Sequence, residues 1–243
     1  GNIGTTLACL LIDYKDVLNI EEIHIFKNTP QPWRDTDLYF LRQKGINIHN
    51  SKEIEYTELV SKIDYIFEAT SNGVGLKNKQ LYEKADNLIG VCAQGSEKDF
   101  GLPFMSGINT ERFNNTKFIQ IVSCNTHGAA SILQTICGEN LTSLESADFV
   151  VVRRSEDIGN HERLVSSNVV ARHLSDSTGT HHAIDVKDMY NSLGINCDIT
   201  SSDITTPSQL LHSTRFTIKS KNKISENQFN KLLSNNSFIS TTK

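Results

Sequence analysis

Ser123-Cys124-Asn125-Thr126-His127-Gly128 stands where two patterns meet. Before it, Phe118, Ile119, Ile121 and Val122 make an apolar, strand-like run. After it, Ala129, Ala130, Ile132, Leu133 and Ile136 recur at helical spacing. The junction predicts a strand running into a helix, with Cys124 at or just before the helix N-terminus. Unpaired backbone N–H groups and the macrodipole favour negative charge at such a point, and the thiolate is the nucleophilic form of cysteine. The same N–H groups can hold an oxyanion formed when that sulfur attacks a carbonyl. Covalent catalysis at a carbonyl is therefore the first chemical expectation.

Upstream of the junction, helical and strand-like stretches alternate. Leu7, Leu10, Leu11, Val17 and Leu18 keep to one face and predict a helix over 5–18. Strands are expected at 22–26, 46–48, 65–69 and 88–92, with helices at 58–63 and 77–85 between them. This order predicts an α/β fold with a parallel sheet covered by helices. Downstream, an apolar strand over 149–152 ends in Arg153-Arg154. A helix at 184–193, extended stretches at 195–204 and 214–219, and a helix at 226–233 follow. We place the boundary just before Cys124, giving domains 1–122 and 123–243, the second an α+β domain with a mixed or antiparallel sheet.

Bulk composition narrows the function classes. The 243 residues carry 24 basic and 28 acidic side chains, and 37% are hydrophobic. Without a basic cluster, nothing points to a nucleic-acid or membrane surface. No apolar stretch approaches the ~18 residues that span a bilayer. The chain opens on Gly1 with no signal-peptide pattern, which suits a cytoplasmic protein. Five cysteines (9, 92, 124, 137 and 197), odd in number and scattered, read as reduced thiols rather than a disulfide frame.

Several short motifs add chemistry. Gly1-x-x-Gly4 before an apolar helix matches the back half of a dinucleotide-binding turn, in which glycines let backbone approach a pyrophosphate. The strand that follows ends in Phe26-Lys27-Asn28-Thr29, where an NAD-specific enzyme usually carries a carboxylate. A lysine suits a 2′-phosphate instead, tilting toward NADP; a solvated loop lysine is the alternative. A nucleophilic cysteine needs a base, and His212, after a proline turn, is a candidate, with His181-His182 as competitors. His161, His173, His181 and His182 lack a recognisable ligand spacing, so no metal is expected. Arg153-Arg154 offers forked donors to a phosphate or is simply a surface pair.

Taken together, the residues resemble the archaeal-type (class II) glyceraldehyde-3-phosphate dehydrogenases. The resemblance rests on Gly1-x-x-Gly4, the run Ala69-Thr70-Ser71-Asn72-Gly73-Val74-Gly75-Leu76-Lys77-Asn78, Gln94-Gly95-Ser96-Glu97-Lys98, Ser123-Cys124-Asn125-Thr126, Val152-Arg153-Arg154, His181-His182 and Pro207-x-x-Leu210-x-His212. It implies a Rossmann-like dinucleotide-binding domain followed by a catalytic domain. It also implies phosphorylating oxidation of glyceraldehyde 3-phosphate to 1,3-bisphosphoglycerate, reversible in glycolysis and gluconeogenesis, with NADP or NAD. Cys124 would form the thiohemiacetal and then the thioester, and His212 would be the base. Ser123, Asn125, His182 and Ala183 match substrate-contact positions; Gly1, Asn2, Ile3, Gly4, Lys27, Ser96 and Arg154 match cofactor positions. Partners implied are the aldehyde, inorganic phosphate and three further copies in a homotetramer. His127, Ser96 and Ala183 depart from the family's usual threonine, glycine and glycine. Family chains begin one strand earlier and run past Lys243, so the chain reads as an internal piece that would bind cofactor poorly by itself.

Two other readings share parts of this pattern. Semialdehyde and acyl-phosphate reductases also join a dinucleotide domain to a cysteine-bearing one, but Ser-Cys-Asn-Thr speaks against them. A non-catalytic nucleotide-binding protein of the same fold would not depend on Cys124.

Overall fold

The computed structural model describes residues 1–28, 36–94, 97–155, 170–172, 174–208 and 211–242. The chain divides into two compact units, Gly1–Phe100 and Gly101–Lys243.

The first unit alternates helix and strand in the order α1 (Asn2–Asp13), β1 (His24–Phe26), α2 (Thr36–Gln43), β2 (Asn47–His49), α3 (Tyr56–Val60), β3 (Tyr65–Glu68), α4 (Val74–Glu83) and β4 (Gly90–Ala93). β1 pairs parallel with β2, and β3 pairs parallel with β4. Parallel neighbours need a crossover connection; α2 supplies the first and α4 the second. Ala8 of α1, Leu38 and Leu41 of α2, and Ile46 and Ile48 around β2 share a buried cluster. Helix α1 starts three residues earlier than its apolar face predicts and ends at Asp13, because Gly1 takes the N-cap and Val17 and Leu18 fall in an exposed turn.

Two buried carboxylates brace the turn after β3. Glu68 accepts from Asn78 Nδ2 at 3.0 Å, from the Thr70 N–H at 3.2 Å and from the Tyr82 hydroxyl, which also meets Tyr56. Glu97 accepts from the Leu76 N–H at 3.1 Å, satisfying a donor in the first turn of α4 that has no intrahelical partner. Gly75 fits between them; a Cβ there would stand 2.8 Å from Glu68 Cγ and 3.0 Å from Glu97 Cδ.

The second unit opens with the parallel pair β5 (Leu102–Phe104) and β6 (Phe118–Ile121), separated by a 3-10 helix. Then come α5 (Cys124–Cys137), β7 (Leu144–Arg154), β8 (Val170–Arg172), α6 (His181–Asn191), β9 (Ile199–Thr206), β10 (Ser213–Ser220) and α7 (Glu226–Asn235). Four strands lie in the order β10-β7-β9-β8. β7 and β9 are parallel, while β10 and β8 run antiparallel to their neighbours. The sheet is therefore mixed. Side chains alternate across a strand, so Ala147, Phe149 and Val151 of β7 turn to one side with Ile199 of β9. Ala147, Phe149 and Ile199 pack there with Ala129, Ala130 and Leu133 of α5 and with Val186, Met189 and Tyr190 of α6.

By compactness β5 and β6 belong to the second unit, whereas the 122/123 division follows sequence pattern. Among the described residues no helix is long and apolar enough to cross a membrane.

Candidate active site

Cys124 is the first residue of α5 and is exposed. Ser123 caps the helix in extended conformation, its Oγ accepting the Thr126 N–H at 3.3 Å and meeting Thr126 Oγ1 at 2.9 Å. Ser, Thr, Asp and Asn are favoured at this position because their oxygens satisfy such orphan donors. His127, one turn on, donates from Nδ1 to the Ser123 carbonyl at 3.0 Å. Asn125 and Thr126 are buried beneath the cysteine's turn, so the helix start is held from below while the thiol stays accessible.

Strand β9 changes character along one face. Ile199, Ser201 and Asp203 are all buried, and the face passes from apolar core to polar site within five residues. Ser201 Oγ accepts the Ala183 N–H at 3.1 Å and meets Thr180 Oγ1 at 2.7 Å, fixing the first turn of α6. Gly179 makes this approach possible. Its φ is +88°, and a Cβ there would overlap the Ser201 carbonyl.

His182, second residue of α6, sits in the middle of the arrangement and is 2% exposed. Its Nδ1 lies 3.3 Å from Ser123 Oγ, and its Nε2 lies 3.8 Å from Asp203 Oδ2. Burial pushes its pKa down to about 3, helped by His181, Arg153 and His212 nearby. The ring is therefore neutral at physiological pH, able to orient a hydroxyl but not to supply a positive charge. Asp203 is paired with Arg153, whose Nη1 donates to Oδ2 at 3.1 Å.

Arg154 and His212 meet directly: the Arg154 backbone N–H donates to His212 Nδ1 at 3.3 Å. A neutral imidazole that accepts at Nδ1 carries its proton on Nε2. Sequence separation hides this pairing, which the antiparallel register of β10 against β7 produces by setting Ser213 opposite Val152.

The residues matched to cofactor positions divide between the units. Gly1 is the N-cap of α1, Asn2, Ile3 and Gly4 form its first turn, and Lys27 follows β1 directly, its N–H bonded to the His49 carbonyl at 2.9 Å. Arg154 belongs to the second unit. Ser96, Leu210, His161 and His173 lie outside the described residues. Ala183 is buried, with its N–H taken by Ser201.

Sequence reasoning missed Ser201, Asp203 and the part Arg153 plays beside them. A usable signal was present: in an extended stretch where Ile199 points inward, Ser201 and Asp203 share its face, and buried polar residues need partners. His181, His182 and Asp203 also bring three ligand-type atoms within 4.8 Å of one another, a grouping that histidine spacing does not display.

No family model matches the chain. It is similar to glyceraldehyde-3-phosphate dehydrogenases of three archaea. The identity is 29% over 196 residues with that of Sulfolobus acidocaldarius, covering 80% of this chain and 53% of the relative. It is 27% over 253 residues with that of Saccharolobus islandicus, covering 97% and 68%. For Pyrococcus abyssi it is 28% over 238 residues, covering 90% and 65%. The chain thus spans about half the length of the first relative and about two thirds of the others. The relatives carry the name that the motifs suggested.

Proposed function

We propose that the protein carrying this chain is a phosphorylating glyceraldehyde-3-phosphate dehydrogenase that works through Cys124. The observation that carries the reading is an exposed cysteine as first residue of a capped helix, in a chain similar along most of its length to dehydrogenases of that name. Residues 1–122 would bind the dinucleotide and 123–243 would carry the chemistry, in a homotetramer.

The start of α1 suits a pyrophosphate. Its Gly1 cap makes no side-chain hydrogen bond, its first turn holds no acidic residue, and among the described residues no atom beyond its chain neighbour lies within 4 Å of a Cβ built on Gly1. Helix N-termini of this kind favour phosphate. Gly1, Asn2, Ile3 and Gly4 would hold that group, with Ser96 and Arg154 as further contacts and Lys27 beside a 2′-phosphate, favouring NADP while tolerating NAD. A bound nicotinamide would supply the hydride acceptor.

The chain's own residues would divide the remaining work. Cys124 Sγ adds as thiolate to the aldehyde carbon, and the new alkoxide takes a proton to give the hemithioacetal. Ser123, Asn125, His182 and Ala183 line the substrate position. His212 presents Nε2–H while its Nδ1 accepts from Arg154. To act as base it exchanges the long Arg154 contact for the hemithioacetal's hydroxyl proton as hydride leaves the same carbon. The product is a thioester on Cys124. Inorganic phosphate attacks its carbonyl, the C–S bond breaks, and Cys124 departs as thiolate with 1,3-bisphosphoglycerate.

An assay of reduced cofactor formed from glyceraldehyde 3-phosphate tests the reading, with NADP and NAD compared and phosphate present or omitted. Turnover that requires phosphate and disappears in Cys124→Ala is expected. Phosphate-independent turnover points to a non-phosphorylating enzyme, and full activity in Cys124→Ala overturns the covalent mechanism.

A further inference from the structure

The buried end of β9 leaves polar atoms without partners. His182 Nε2 and Asp203 Oδ1 are both buried and make no hydrogen bond among the described residues. Unpaired polar atoms in the interior cost free energy, so their survival side by side calls for an occupant. His181, adjacent in sequence and half-buried, lies against His182 with ring centroids 3.9 Å apart and the ring planes tilted by 49°. Nitrogens of the two rings and an Asp203 oxygen lie within 4.8 Å of one another.

We infer that His181, His182 and Asp203 form a three-ligand site for a divalent transition-metal ion of the zinc type. Two imidazoles and one carboxylate are a donor set that such ions accept, with a fourth position left for water. Ligating histidines are usually fixed by a contact on the other ring nitrogen. Here His182 Nδ1 meets Ser123 Oγ at 3.3 Å, leaving Nε2 as the available donor. Asp203 is fixed likewise: Arg153 holds Oδ2 at 3.1 Å while Oδ1 stays open. Liganding oxygens and nitrogens about a tetrahedral ion lie ~2.0–2.2 Å from it, so binding draws the three groups together. The Arg153 guanidinium opposes a cation, which makes the site one of modest affinity, occupied at raised metal concentration rather than permanently. Occupancy engages His182 and so competes with the substrate contact proposed for it.

Cobalt(II) titration of the chain, without cofactor or aldehyde, tests the site independently of any dehydrogenase activity. One equivalent is expected, with the intense visible absorption of four-coordinate Co2+, displaced by Zn2+. His181→Ala removes a half-buried ligand with little burden on the fold and should weaken binding by more than about tenfold. Arg153→Gln should tighten it by removing the opposing charge. The inference is overturned by no saturable binding, by binding unchanged in His181→Ala, or by a thiolate-to-cobalt charge-transfer band placing the ion on a cysteine.

Discussion

The imidazole of His182 lies with Nδ1 3.3 Å from Ser123 Oγ, tying the second residue of α6 to the N-cap of the helix that begins with Cys124. One hydroxyl thus terminates α5 and orients a buried ring on α6. Ser123→Ala removes both functions. Loss of the cap costs about 1 kcal/mol, and an unpaired buried ring nitrogen adds about 1–3 kcal/mol. Chemical denaturation should show that combined fall, while Ser123→Thr, which keeps the hydroxyl, should stay near the parent.

Acid should destabilise the second unit through His182. Burial, with His181, Arg153 and His212 beside it, lowers its folded pKa from 6.5 to about 3. Between those values the unfolded chain binds a proton that the folded one refuses, so stability rises with pH across the window. It is complete above 6.5 and declines as pH falls, by up to about 1.4 kcal/mol per pH unit from this group. Denaturation curves below pH 6.5 should show a shallower decline in His182→Gln; equal slopes would contradict the assignment.

Arg153 and Asp203 form an unequal pair, with side chains 25% and 1% exposed. Arg153→Met strands a carboxylate in the interior, a loss of about 3–5 kcal/mol. Asp203→Asn leaves a neutral amide inside and a guanidinium that still reaches water. Urea midpoints should therefore rank Arg153→Met below Asp203→Asn, and the reverse order would mean that Asp203 is not the buried charge.

Gly179→Ala should be among the most damaging single changes in the second unit. It meets two obstacles at once: a φ of +88° and the carbonyl of Ser201 in the space a Cβ needs. Strain of this kind costs about 1–3 kcal/mol before any clash is relieved. A thermal melt close to that of the parent would show that Gly179 and the Ser201 carbonyl of β9 have room to move apart.

Much of this architecture was legible from periodicity. The strand-to-helix junction at Cys124 and the alternating elements before it follow from where apolar residues recur, and β6 and α5 meet as that spacing requires. Helix α1 was displaced because a glycine N-cap carries no side-chain signal, while Val17 and Leu18 extend the apolar face into what is a turn. The contacts among Ser123, His182, Asp203 and Arg153 were not legible. They join residues up to 59 positions apart through strand register and helix packing, which local pattern does not encode. Only the unusual polarity of the inward face of β9 announced them.

The central claim is that Cys124 carries the acyl group. Intact-mass analysis with peptide mapping reads this directly, after the full-length protein is incubated with glyceraldehyde 3-phosphate and oxidised NADP in the absence of phosphate. A 3-phosphoglyceroyl thioester confined to Cys124, discharged on adding phosphate, is the predicted result. Reduced cofactor appearing with no adduct on Cys124, or with the adduct on another residue, would contradict the account.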